Sequence, residues 1–218
     1  MNVIEKYRLE QKTLDFGKIK IDLYHTDNLD SFFDKLDPAA FNEDERFPYF
    51  VNIWQSGYFL ARYLIEEIGD KNLYNKQILE LGSGTGMTGL AAGLLGAQIT
   101  FTDYEEDSLK LCDTNAAANG IRSHKLLLAD WRNFPDTGIK YDFIIGSDLL
   151  YENRFLLPLV ETSSGLIDEG AVFLYADPCR NYHKEYLSIM EKKGYKTSFL
   201  RSYVNENKLE VRIFEIKK

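Results

Sequence analysis

Four aspartates stand where carboxylates could do chemistry. Asp103, Asp130, Asp148 and Asp177 each lie close behind a short apolar run. A carboxylate in such a place can accept from sugar hydroxyls or an amino group, or hold a cation. Upstream of all four lies Glu80-Leu81-Gly82-Ser83-Gly84-Thr85-Gly86. Glycines at alternate positions let the chain turn sharply and let a ligand lie on the backbone itself. Asp103 falls 21 residues after Gly82. At that separation an acid at the tip of the next strand can accept from both ribose hydroxyls of a nucleotide. The same aspartate also fits the N-cap of the helix that follows it. Aspartate favours turns in general, so it is the coincidence of four such acids with one glycine turn that reads as a site.

These residues need strands to carry them. Ile78, Leu79 and Leu81 form an apolar run without a turn residue, the pattern of a buried parallel strand. After the glycines, Leu90, Leu94 and Leu95 recur at helical spacing. Strand, glycine turn and helix make half of a nucleotide-binding βαβ unit. Strands are predicted again at 98–102, 125–129, 141–146 and 171–176, with helices at 105–119, 154–168 and 181–193 between them. Two more strands, 195–203 and 208–216, are split by Asn205-Glu206-Asn207. The pattern predicts an α/β fold: a doubly wound, mainly parallel seven-stranded sheet with an antiparallel last strand. Ahead of it, alternation over 7–13 and 18–24 around Gly17 predicts a β-hairpin. A helical turn is expected at Ser31–Leu36, and Ser56 is expected to cap a helix that closes at Gly69. With no linker or repeat in view, residues 1–55 read as a hairpin-and-lid extension on a main domain, 56–218.

Apolar residues make up 44% and charged residues 28% of the 218, and the net charge is −8. A general nucleic-acid binder would be basic; this acidity suits a cationic substrate or simple solubility. Two cysteines, Cys112 and Cys179, make no disulfide framework. The N-terminus lacks a signal-like apolar region, and no apolar run approaches the ~18 residues of a membrane span. A cytoplasmic monomer without a metal or membrane partner is expected.

The dinucleotide fingerprint would need a third glycine where Met87 stands. That disfavours a nicotinamide-dependent oxidoreductase. The Walker pattern fails as well, for want of a Gly-Lys-Ser or Gly-Lys-Thr. What stands here, E-x-G-x-G-x-G, resembles the first motif of seven-strand S-adenosylmethionine-dependent methyltransferases. Over about residues 47–216 the chain resembles family 16 of that class, most of whose characterised members modify protein lysines. Phe47-Pro48-Tyr49, Trp54-Gln55-Ser56-Gly57 and Leu60-Ala61-Arg62-Tyr63-Leu64 look like its pre-motif. Asn115 and Asn119 fall on its N-x-x-x-N helix, and Asp130-Trp131 on its adenine-flanking pair. Asp148-Leu149-Leu150-Tyr151 matches its D-x-x-Y signature, the most specific piece. Ala176-Asp177-Pro178-Cys179-Arg180 resembles the branch that acts on the electron-transfer flavoprotein β-subunit. Phe50, Gln55 and Cys179 depart from residues common in the family or that branch.

The resemblance implies S-adenosyl-L-methionine as cofactor. Glu80, Gly82, Ser83, Gly84 and Gly86 would take its aminoacyl portion and Asp103 its ribose. Asp130 would meet the adenine, Trp131 and Trp54 would give aromatic faces, and Ser147 would complete the cofactor side. Asp148 would orient the acceptor amine, and Tyr151 would line its channel. Without the resemblance, Trp54 reads more readily as core than as a ligand contact, and Tyr151 reads equally as core and Asp148 as a helix cap. The implied activity is N-methylation of a protein lysine ε-amine. A small-molecule, nicotinamide-like amine as acceptor, or a cofactor-binding adaptor without catalysis, stays open.

Overall fold

The computed structural model describes residues 2–26, residue 29 and residues 47–218. The turn expected at Ser31–Leu36 lies outside them. The chain begins with a short helix, α1 (Val3–Tyr7), which the sequence reading assigned in part to a strand. The Asn2 side chain caps it by accepting from the Glu5 N–H at 2.8 Å, and Arg8 ends it in the left-handed region, φ 50°. The predicted hairpin follows two to three residues late, as β1 (Glu10–Asp15) and β2 (Lys20–His25), paired antiparallel. Gly17 sits in its turn with φ 79°. Ile21 and Leu23 of β2 are fully buried, whereas β1 is largely exposed.

Helix α2 (Gln55–Tyr63) runs on into a π-type turn, Leu64–Ile68, closed by Gly69 as expected, and α3 (Asp70–Leu73) follows. Then β3 (Gln77–Leu81), α4 (Met87–Leu94), β4 (Gln98–Asp103), α5 (Glu106–Ala118), β5 (His124–Leu128) and β6 (Phe143–Ser147) alternate. The chain continues with α6 (Leu156–Asp168), β7 (Val172–Asp177), α7 (Asn181–Lys192), β8 (Lys196–Val204) and β9 (Glu210–Lys217).

The seven strands from β3 onward form one sheet in the order β5-β4-β3-β6-β7-β9-β8. All neighbours from β5 to β7 are parallel, and β9 runs antiparallel to both β7 and β8. Two cores sandwich the sheet. On one face Ile78, Ile99 and Phe101 pack with Leu60, Leu90 and Leu109 of α2, α4 and α5. On the other, Leu79, Leu81 and Phe173 pack with Leu159, Tyr186 and Met190 of α6 and α7. Period-two strands facing helices on both sides bury both side-chain sets, which explains runs such as Phe143-Ile144-Ile145. Successive units leave β3 in opposite directions, towards β4 and, later, β6. The order therefore reverses at β3/β6, where sheets of this kind open a crevice past the strand ends. Among the described residues, no helix is long and apolar enough to cross a membrane.

Candidate active site

A cavity of about 430 Å³ opens at that switch point, in the size range of small-ligand sites. Its floor is the glycine turn. Gly82 and Gly84 line it with φ of 59° and 54°, conformations that side-chain-bearing residues adopt at a cost. A Cβ on Gly82 would stand 2.9 Å from Leu149 Cδ2 and 3.4 Å from the Trp131 ring.

Three residues expected beside the cofactor, Glu80, Ser83 and Gly86, are not among those that line the cavity. Glu80 is buried beneath the turn and faces α4, where a Cβ on Gly89 would come within 2.7 Å of its Oε2. Burial pushes its carboxyl up to about 8, against the pull of the Gly89 N–H. The Ser83 hydroxyl turns inward, donating to the Glu80 carbonyl and accepting from the Thr102 N–H at 3.0 Å. At Gly86 a Cβ would crowd Cys112 Sγ and Phe101, both at 3.1 Å, so this glycine serves packing. The alternation of glycines was legible in the sequence, but not which members face the ligand side.

Asp103, at the tip of β4, lines the cavity and is buried. Its Oδ2 accepts from the Gly84 N–H at 3.1 Å and the Ser108 hydroxyl at 2.8 Å, and its Oδ1 from the Glu105 N–H at 3.0 Å. Of roughly four lone-pair positions, about one is left for a ligand, fewer than two sugar hydroxyls would use. Burial raises its pKa, opposed by these donors. Asp130 and Trp131 line the wall past β5. The Asp130 carboxylate accepts from the Arg132 N–H and also holds the Arg132 guanidinium through both oxygens. Ser147 lines the cavity at the end of β6.

Aromatic rings form a collar. Tyr49 meets Trp54 at 6.2 Å and Tyr151 at 5.8 Å between centroids, Tyr151 meets Phe155 at 5.1 Å, and Phe155 meets Trp131 at 5.7 Å. The Trp54 indole N–H donates to the Tyr49 carbonyl at 3.0 Å, which fixes the ring in the wall. Such faces attract a sulfonium or ammonium group by about 0.5–2 kcal/mol. Tyr104 and Phe155 complete the ring and were missed in the sequence; both flank predicted site residues, but nothing in their spacing marks them.

Asp148 follows β6 with φ 55°, a left-handed conformation that marks a constrained position. Its carboxylate is buried between two partners. Oδ2 accepts from the Ser56 N–H at 3.2 Å, and Oδ1 meets Arg180 Nη2 at 2.8 Å. Asp148 thus satisfies an amide in the first turn of α2, and the Ser56 side chain, the expected cap, makes no capping bond. Arg180 also lines the cavity and was not named as a site residue from sequence. Its backbone N–H donates to Asp177 Oδ1 at 2.9 Å, while Nη1 stands 3.6 Å from Asp177 Oδ2. Among the described residues, neither of those buried atoms makes a hydrogen bond. Burial raises the pKa of Asp148 and of Asp177, and the Arg180 guanidinium opposes the shift at each. Tyr151 lines the cavity with part of its ring exposed; burial and the neighbouring Tyr104 hydroxyl raise its phenol pKa. Among the described residues, no group of three side chains is placed to hold a metal.

The chain was compared with known proteins. It is 33% identical over 131 residues to the protein-lysine methyltransferase METTL21E of Bos taurus, a match covering 56% of this chain and 45% of that one. It is 31% identical over 151 residues to the protein N-lysine methyltransferase METTL21A of Mus musculus, covering 65% and 66%. The chain spans about half the length of the first of these relatives. Among solved structures it resembles the T. thermophilus 16S rRNA N2 G1207 methyltransferase RsmC in complex with AdoMet and guanosine. The TM-score is 0.66 at 17% identity, over 96% of this chain and 50% of that one, a likeness of fold. The flavoprotein-branch likeness of Ala176–Arg180 rests on those residues alone. A family model described as lysine methyltransferase matches residues 37–193, and the chain belongs to that family.

Proposed function

We propose that the chain is an S-adenosyl-L-methionine-dependent methyltransferase acting on the ε-amine of a protein lysine. One observation carries the reading. Asp148 is buried beside a glycine turn, in a cavity walled by aromatic rings that suit a cation. The residues present fit the cofactor. Gly82 and Gly84 keep the floor clear of side chains, Asp103 retains an acceptor position, and Trp131 offers an apolar face. Gly82 and Gly84 would hold the aminoacyl end, Asp103 the ribose, Asp130 with Trp131 the adenine, and Trp54 and Ser147 the remaining wall. When bound, the cofactor supplies an electrophilic methyl group on a sulfonium.

The protein's share of the work is positioning. Well-held reactants gain roughly 7–11 kcal/mol over free encounter. A lysine amine has a reference pKa of about 10.4 and must shed its proton before it can attack. Asp148 would receive the ammonium and, once solvent water has taken its proton, orient the free amine, and Tyr151, with Tyr49 and Phe155, would confine its approach. Residues 1–55 act in this reading as an extension supplying part of the wall, and 56–218 as the transferase domain; the family match begins inside the extension, at residue 37. Free thiols at Cys112 and Cys179 suit a reducing compartment, and we place the protein in the cytoplasm as a monomer.

The test is methyl transfer from radiolabelled cofactor into a lysate, followed by separation and acid hydrolysis. Label recovered as Nε-methyl-lysine in protein supports the reading. Label only in the small-molecule fraction replaces it with a small-amine acceptor. Tight cofactor binding without transfer to either fraction replaces it with a non-catalytic binder.

A further inference from the structure

One face of α5 carries a polar stripe: Ser108, Cys112, Asn115 and Asn119, spaced so that they lie in line along the helix. The stripe grips two things. Towards the glycine turn, the Ser108 hydroxyl and the Cys112 thiol approach the Gly84 carbonyl at 3.1 and 3.4 Å, and Asn115 Nδ2 donates to the Thr85 carbonyl at 2.9 Å. Towards the N-terminal hairpin, Asn115 Oδ1 accepts from the Tyr24 N–H at 2.7 Å and its Nδ2 reaches the Tyr24 carbonyl at 3.4 Å. One turn on, Asn119 does the same for Asp22, accepting from its N–H at 2.9 Å and donating to its carbonyl at 2.7 Å.

The spacing has a geometric cause. Strand β2 turns the peptide groups of alternate residues away from β1, and two strand residues advance about 6.6 Å. Four helical residues rise about 6.0 Å. Asparagines four apart on a helix therefore meet peptide groups two apart on a strand, and each side-chain amide serves as a surrogate strand residue. Among the described residues the Asn119 side chain bonds to the hairpin and to its own helix, where it also donates to the Asn115 carbonyl. Asn115, fully buried, binds hairpin and glycine turn with one amide group.

We infer that Asn115 is a positioning residue that makes the hairpin and the glycine turn one mechanical unit, so that ligand binding at the turn and hairpin docking strengthen each other. This rests on the reading of the glycine turn as the cofactor's floor. By thermodynamic reciprocity the coupling must act in both directions. A ligand on the turn should tighten the hairpin, and losing the link should weaken the ligand.

Two substitutions separate the halves. Asn115→Asp keeps an oxygen for the Tyr24 N–H but sets a carboxylate against the Thr85 carbonyl, breaking the turn half. Asn119→Ala breaks a hairpin contact and leaves the Asn115 bridge in place. Calorimetry with S-adenosylhomocysteine should show Asn115→Asp binding at least about tenfold weaker than wild type, and Asn119→Ala within threefold. In hydrogen exchange, S-adenosylhomocysteine should slow residues 20–25 in wild type and in Asn119→Ala, but not in Asn115→Asp. Equal affinity losses in the two variants, or unchanged affinity with unchanged hairpin protection in Asn115→Asp, would overturn the inference. If wild type does not bind S-adenosylhomocysteine, the cavity reading fails, and exchange without ligand still decides the link. Faster exchange over residues 83–88 in Asn115→Asp alone supports it, and equal exchange in both variants overturns it.

Discussion

Replacing Asp148 with asparagine should separate chemistry from cofactor binding. Asparagine tolerates the left-handed backbone that Asp148 adopts at φ 55°, and its amide oxygen can still accept from the Ser56 N–H. What it cannot do is carry the charge that meets Arg180 at 2.8 Å. A hydrogen bond to a charged group contributes about 1.5–3 kcal/mol. The Arg180 side chain is 31% exposed and has Asp177 3.6 Å away, so the loss belongs at the low end, about 1–2 kcal/mol. For a chain of this size that lowers Tm by about 3–6 °C. Asp148→Ala adds the left-handed penalty of roughly 1 kcal/mol and should melt lower still. Turnover should fall about 100-fold, the lower range for a lost proton-handling group, with S-adenosylhomocysteine affinity within threefold of wild type. The measurements are single-turnover kinetics on the acceptor found in lysate, calorimetry and thermal melts. A double-mutant cycle with Arg180→Gln completes the set: two residues acting as a pair should give strongly non-additive losses. Wild-type turnover in Asp148→Asn, or affinity lost in step with activity, would refute the reasoning.

Three further outcomes are expected. Glu80 holds its proton in the fold up to about pH 8, while the unfolded chain releases it near pH 4.3; between these values the native state binds more protons, so stability falls as pH rises, by up to about 1.4 kcal/mol per unit. Denaturant titrations should therefore show wild type losing stability relative to Glu80→Gln from pH 5 to pH 8, and parallel curves would show that Glu80 is ionised in the fold. A Cβ at Gly84 makes only ordinary contacts, 3.6 Å from the Phe50 carbonyl oxygen, so the cost of Gly84→Val to the fold is mainly the φ of 54°, on the order of 1–3 kcal/mol; differential scanning should find the cofactor-induced rise in Tm gone, and a wild-type rise would remove the turn from the site. Asp103→Ala should lose 2–4 kcal/mol of cofactor binding, about 30-fold or more, together with some stability because three internal donors lose their acceptor; calorimetric affinity within threefold of wild type would end its ribose role.

What could be read from the sequence followed from period and punctuation. Apolar runs ended by glycines or aspartates located every strand of the sheet to within about two residues, because a strand buried on both faces has few other ways to be written. Misreadings came where the partner lies far along the chain. Ser56 looked like a helix cap, yet Asp148, 92 residues later, takes the amide in question. For Asp103 the sequence showed a carboxylate at a strand tip but not its internal donors, Ser108, Gly84 and Glu105, which leave about one acceptor position. The Asn115/Asn119 pair was visible as a spacing, but its meaning required knowing that β2 lies alongside α5. Helix α1 was missed although Asn2 and Glu5 form a capping pattern, because the alternation of Tyr7, Leu9 and Gln11 suggested an earlier strand.

Arg180 shows how strand order joins two local motifs that lie apart in the sequence. Ser147 and Ala176 are in register on adjacent parallel strands, so the next residues, Asp148 and Asp177, emerge side by side at the cavity. Two adjacent buried carboxylates would repel, and one would take up a proton. Arg180, three residues beyond Asp177, reaches both, and its guanidinium opposes the rise in pKa that burial imposes on each. Its contacts are unequal: 2.8 Å to Asp148, but 3.6 Å to Asp177 Oδ2, which makes no hydrogen bond among the described residues. On the proposed reading, a lysine ammonium arriving at Asp148 competes for a carboxylate already held by a guanidinium. The open Asp177 oxygen resolves the competition, since a small shift of the guanidinium completes a bond there while releasing Asp148. The guanidinium keeps a carboxylate partner throughout, and with the Arg180 side chain 31% exposed the cost of the shift stays below that of breaking a fully buried pair.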